Sequence, residues 1–221
     1  MPRMRFVKPL IYTVVIILCG ACVSKEPNYI VPATTTPQHE YNQDIRPDDF
    51  YRQLSDAAIS LTKDQVTYDP SYFTLDYPNG DVPSNKGVCC DVVIRAYRKL
   101  GIDLQKEVHE DMSAHFSAYP HLWGLKSTDK NIDHRRVPNL MKFFERKKAN
   151  LPITNNPIDY HYGDIVCWDL GHGLTHIGLV VDRTAEPTNR NLIVHNIGGG
   201  QVLEDCLFRF KIIGHYRYQK K

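Results

Sequence analysis

After Pro152 the chain changes its periodicity, and this change limits the available folds more than any other feature. Four short runs rich in Ile and Val, "GDIVCWDL", "THIGLVVD", "NLIVHNIG" and "KIIGHYRY", are separated by Gly, Asn and Pro clusters at spacings that suit an antiparallel sheet. Before Pro152 the apolar residues recur at helical intervals instead. A first amphipathic helix, capped by Asp48 or Asp49, runs through Phe50, Leu54, Ala57, Ala58 and Leu61, and "GVCCDVVIRAYRKLG" makes a second, closed by Gly101. Leu104, Val108, Met112 and Phe116 mark a third, and a fourth follows Pro138 through "NLMKFFERKK". The segment "VTYDPSYFTLDYPNGD", broken by Pro70, Pro78 and Asn79-Gly80, is expected to be extended and to end in a turn. Helices followed by strands predict an α+β domain, with N-terminal helices packed on an antiparallel sheet.

The domain does not begin at Met1. Arg3, Arg5 and Lys8 precede the apolar run Leu10 to Ala21, which is too short to span a bilayer comfortably and ends in small residues. Residues 1–21 therefore read as a secretory signal. "LCGAC" is like a bacterial lipobox with Cys19 where Leu is usual, so either Cys22 is lipidated or ordinary cleavage occurs nearby. Residues 22–45, rich in Thr and Pro, suit an extended tether, which leaves 46–221 as the folded domain, placed in the periplasm or cell envelope and held to the membrane if Cys22 carries lipid. With 221 residues, 42% of them hydrophobic, there is room for one ordinary core. The net charge is +2 and the basic residues are dispersed, which argues against nucleic acid as a partner. No oligomeric state is implied.

Chemistry concentrates at Cys89. On a helix starting near Val88 it shares the core-facing side with Val93, Tyr97 and Leu100, whereas Asp91 lines up with Arg95 and Arg98 on the side expected to be wet. Unpaired N–H groups at a helix start favour a thiolate, so Cys89 is either a nucleophile or an inert buried thiol. Cys90, turned by about 100°, reads as a packing residue. A nucleophilic thiol needs a base, and the base needs a third group to orient it. His176 opens one strand and His195 lies near the end of the next, so the two can meet across a strand pair if the helix packs on their face. Asn196 is the reserve for the third role.

The segment "GDIVCWDLGHGLTHIGLVVD…LIVHNIGGG" resembles the strand block of NlpC-type cysteine peptidases of the papain-like group. "YPNGDVPSNKGVCCDVVIRAYRKLGIDLQ", "NIDHRRVPNL" and "GHYRY" resemble more closely a bacterial domain-of-unknown-function family of secreted proteins whose core reads GVCTDVVIRAYR. The likeness spans about Tyr68 to Tyr218 and aligns Cys89 with the family cysteine, leaving Cys90 in the place of Thr. It implies a papain-like fold and thiol amidase or peptidase chemistry on peptide bonds of the bacterial cell wall. Cys89 would attack, His176 would act as base and His195 would orient it, while the N–H groups of Cys89 and Cys90 would face the oxyanion. No cofactor is implied.

Other residues leave alternatives open. Asp133, His134, Arg135 and Arg136 precede the fourth helix and could bind a substrate carboxylate through an Arg fork, or could be a cap with exposed charge. His109, Asp111, His115 and His121 lack zinc-ligand spacing, and no metal is expected. His172 lines a cleft or is simply exposed. "HNIGGG" has no strand-to-helix setting for a nucleotide loop. Cys167 and Cys206 could pair, or Cys167 could be core. Two rival functions stand beside hydrolysis: a binding module without turnover, and a thioester-forming acyltransferase.

Overall fold

The computed structural model describes residues 47–220. The expected signal, tether and Cys22 lie outside the described residues. No described helix is long and apolar enough to cross a membrane.

Helix α1 (Pro47–Leu61) buries Phe50, Leu54, Ala57, Ala58 and Leu61, the stripe that its spacing predicts. An extended segment follows, in which two-residue strands β1 (Thr67–Tyr68) and β2 (Lys86–Gly87) pair in parallel. Then come α2 (Cys89–Lys99), α3 (Leu104–Ala114) and α4 (Val137–Arg146). Asp103 caps α3 by accepting from the Gln105 N–H at 3.0 Å, and Pro138 sits in the first turn of α4.

The sheet contains β3 (Ile165–Gly171), β4 (Leu174–Ala185), β5 (Arg190–His195), β6 (Val202–Glu204) and β7 (Lys211–Tyr216), in the order β6-β5-β4-β3-β7. Its pairs are antiparallel, as the alternation requires. Strand β6 was not legible, because "VLE" is too short to show a period. The two faces carry separate cores. Ile165, Cys167, Ile177, Leu179 and Val194 pack with the helices. Val166, Trp168, Val180 and Ile193 pack on the other side with Cys206 and Leu207. Cys167 and Cys206 therefore lie on opposite faces and do not pair, and all four described cysteines are free thiols.

One expectation about α2 is overturned. Its second face is dry: Asp91 is 2% and Arg95 8% exposed. The helix is wedged against α1, β4 and a short 3-10 turn at Asp133–Arg135, so the ladder of charge meets loops instead of water.

Candidate active site

Those buried charges hold the start of α2 in place. The Asp91 carboxylate accepts the Val88 N–H at 2.7 Å, answering one unpaired donor of the helix end. It also receives Arg135 in a two-pronged pair, Nε at 2.9 Å and Nη2 at 3.0 Å. Arg95 reaches the carbonyl of Lys86 at 2.9 Å and the Asp81 carboxylate at 3.0 Å, so the loop leading into Cys89 is pinned from the helix side. Gly87 fits closely there: a Cβ would lie 3.3 Å from both Asp91 and Arg95 side-chain atoms, which would have to give by a few tenths of an ångström.

The imidazoles arrive from the opposite side. His176 stacks on Trp168 with ring centroids 5.6 Å apart and meets His195, Nε2 to Nδ1, at 2.9 Å. Both rings lie on the face away from α2, contrary to the simple picture of a helix laid over them. Contact with the sulfur is made at the end of β5. Val180 turns its N–H to Asp164 O at 2.8 Å, on the β3 side, so by alternation the Ile177 N–H points to the β5 side, beyond the last paired residues. There it donates to the Cys89 thiol, on which the His176 side chain also acts.

A further residue closes the line. Glu204 Oε2 lies 3.0 Å from His195 Nε2, while its other oxygen takes Arg209 at 2.7 Å. Burial first, and then the charge of His176, bring His195 down to about 4, so it is neutral at pH 7. A carboxylate only accepts, so the His195 proton sits on Nε2 and its Nδ1 is the acceptor. His176 must then donate through Nε2, which turns Nδ1 towards the sulfur. The hydrogen bonds thus dictate both tautomers.

The two neighbouring thiols are driven apart. Cys89 falls from 9.0 to about 5, first through the hydrogen bond from Cys90 and then through His176 and the Ile177 N–H, with burial opposing. Cys90 is raised well above 9.0, by burial first and then by Cys89. Of the pair, Cys89 is the thiol held low and Cys90 the one held high.

A cleft of about 230 Å³ opens at Cys89, walled by Tyr68, Trp123, Arg136, Pro138 and Leu174. Of the four residues expected to bind substrate, Arg135 and Arg136 border the cleft, and Arg136 has a donor left to offer. Its guanidinium stacks over Trp123 at 4.4 Å, and Nη1 is buried without a partner. Arg135 is corrected to a structural role, since Asp91 takes up its fork. Asp133 is fully buried, bonded to His109 at 2.9 Å and to the Asp129 N–H at 2.8 Å, and His134 is 1% exposed. Neither reaches the cleft lining. Asn196 is buried just after β5, where it donates weakly to Gly87 O at 3.4 Å and accepts the Gly198 N–H at 3.1 Å, so it braces the α2 entry. His172 sits exposed at the β3–β4 turn, outside the lining. Glu204 and Trp123 were missed: the first follows no periodic pattern, and the second lies in a loop.

Residues 55–218 match the family described as a domain of unknown function, DUF1287. The chain belongs to that family. A relative, the uncharacterized protein YijF of Escherichia coli K12, is 52% identical over 165 residues, which cover 75% of this chain and 80% of YijF. Two crystal structures of an N-acetylmuramoyl-L-alanine amidase from Bacteroides uniformis superpose on 77% of this chain and 99% of theirs, each with a TM-score of 0.44, at 12% and 15% identity. That likeness is too low to carry an activity across.

Proposed function

We propose that this DUF1287 domain is a thiol hydrolase of papain-like, NlpC-type architecture that cleaves amide bonds in peptides of the bacterial cell wall. The observation that carries the reading is the line Cys89, His176, His195, Glu204, with Cys89 in the lining of the cleft. An inert buried thiol has no need of a base whose tautomer is set by two further groups.

In this reaction the Cys89 thiolate adds to the carbonyl carbon, and the oxygen becomes an oxyanion facing the first N–H groups of α2. His176 gives its Nδ1 proton to the leaving nitrogen as the C–N bond breaks, leaving a thioester on Cys89. A water, losing a proton to His176, then attacks the thioester; the acid leaves and the thiolate returns. His195 and Glu204 touch no reacting atom and act as positioning residues. Arg136, with a buried donor free, receives a carboxylate of the substrate peptide. The substrate polymer is inferred from the secretory leader and from the resemblance to NlpC peptidases. A lipidated Cys22 would tether the domain in the envelope beside that polymer.

The test is incubation of the purified protein with cell-wall peptide fragments, followed by mass analysis. New amine and carboxyl ends that are absent with Cys89→Ala support hydrolysis. Intact fragments that are nevertheless retained favour a binding module, and transfer of an acyl group to an added amine without hydrolysis favours an acyltransferase.

A further inference from the structure

Behind His195, on the side away from Cys89, Glu204 and Cys206 converge on the same ring nitrogen. His195 Nε2 lies 3.0 Å from Glu204 Oε2 and 3.5 Å from Cys206 Sγ, and the three ligand atoms all fall within 4.8 Å of one another. Tetrahedral zinc, with bonds of about 2.0–2.3 Å, holds such atoms about 3.3–3.7 Å apart. An imidazole, a carboxylate and a thiol form a set that zinc favours. His195 and Cys206 are nearly enclosed, at 1% and 4% exposure. Glu204 is one-third exposed, which leaves one side open to solvent. Arg209 binds the other Glu204 oxygen at 2.7 Å and can stay there.

We propose that His195, Glu204 and Cys206 form a binding site for a zinc-type divalent cation, and that occupancy switches off the thiol centre. Binding displaces the thiol proton of Cys206 to solvent, while each ring keeps one proton in net: the His195 Nε2 proton leaves, the His176 Nε2 proton passes to His195 Nδ1, and His176 takes one up at Nδ1. A neutral ring ligated through Nε2 carries its proton on Nδ1, so the bond between the two histidines reverses and His176 Nε2 must accept. With its proton held on Nδ1, His176 then turns an N–H and no free ring nitrogen to the sulfur, so the cation removes the base that takes the Cys89 proton. The site itself stands on its own geometry; its inhibitory effect rests on the hydrolase reading.

Titration of the purified full chain with Co²⁺ tests the site. One equivalent should bind and produce a thiolate-to-cobalt charge-transfer band in the near ultraviolet, bleached by Zn²⁺. Cys206→Ser should abolish the band, Glu204→Gln, altered at the surface, should weaken binding roughly tenfold or more, and Cys89→Ser should leave the band intact. No band, a band that survives Cys206→Ser, or one lost in Cys89→Ser would overturn the site. Zn²⁺ should also slow alkylation of Cys89 in the wild type but not in Cys206→Ser. A normal band with unchanged alkylation would retain the site and overturn the switch.

Discussion

The depressed Cys89 thiol makes the sharpest prediction, because its ionisation can be followed without a substrate. With a midpoint near 5, about nine-tenths of Cys89 is thiolate at pH 6, against about 0.3% of an ordinary thiol titrating near 8.5. That is roughly a 300-fold advantage in reactive form. Intrinsic nucleophilicity falls as the pKa falls, with a Brønsted coefficient of about 0.4–0.5, which returns a factor of roughly 25–60 over this range. The net expectation at pH 6 is alkylation roughly five- to tenfold faster than that of an equally accessible cysteine. Since Cys89 is only 5% exposed, access scales the absolute rate, and the informative quantity is the midpoint of the pH profile. Iodoacetamide labelling from pH 4 to 9, with the modified peptide identified by mass, should rise through a midpoint near 5 and stay flat above about 6. Cys90→Ala removes the donor that lowers Cys89 most, and His176→Gln removes the imidazole; each should move the midpoint up, whereas Cys90→Ser keeps a donor and should move it little. A wild-type midpoint at 8 or above, or one indifferent to His176, would refute the electrostatic argument.

Further outcomes follow from the same contacts. Asp91→Ala strands the Arg135 guanidinium, 2% exposed, and should cost about 3–5 kcal/mol of stability, read as a lower urea midpoint. Gly178→Ala sets a methyl 2.7 Å from Ile193 Cγ2 and 3.1 Å from His195 Cβ; it should destabilise by about 1–3 kcal/mol and, by moving β5, lower turnover in the muropeptide assay. Glu204→Ala should lower kcat with KM little changed, and Glu204→Gln, which still accepts from His195, should recover much of the loss; equal defects in both would remove Glu204 from the positioning line. His134 is brought down to about 3, by burial first and then by Arg135 and Arg98, so the unfolded chain takes up its proton first and stability is lost as pH falls below about 6.5. Between pH 7 and pH 5 that loss is about 2 kcal/mol, and His134→Gln should remove it from the pH dependence of the urea midpoint.

Which parts were legible in the sequence follows from the range of the interactions involved. Cys89 could be picked out because a helix start acts on a thiol through neighbours in the chain, and His176 and His195 because each sits on a strand with a readable period of two. The same reasoning placed Asp91 in water. Helical spacing says which residues share a face, not what covers it, and here the cover is a loop and a 3-10 turn from 40 or so residues away. Arg135 and Arg136 are adjacent, chemically alike and both at the cleft, yet Arg135 is spent on Asp91 while Arg136 keeps a donor without a partner.

The order of helices and strands was settled by local sequence, and the thiol and two imidazoles proposed to act together could be picked out from it, since backbone propensity, alternation and the field of a helix end act over a few residues. Three outcomes belonged to the tertiary structure alone: the meeting of sulfur and imidazole at the end of β5, the arrival of Glu204 behind His195, and the sorting of Cys167 and Cys206 onto opposite faces. Each depends on how far β5 extends and where the chain returns as β6. Those are set by the packing of two cores against one sheet, a balance among residues far apart in the chain that no short segment contains.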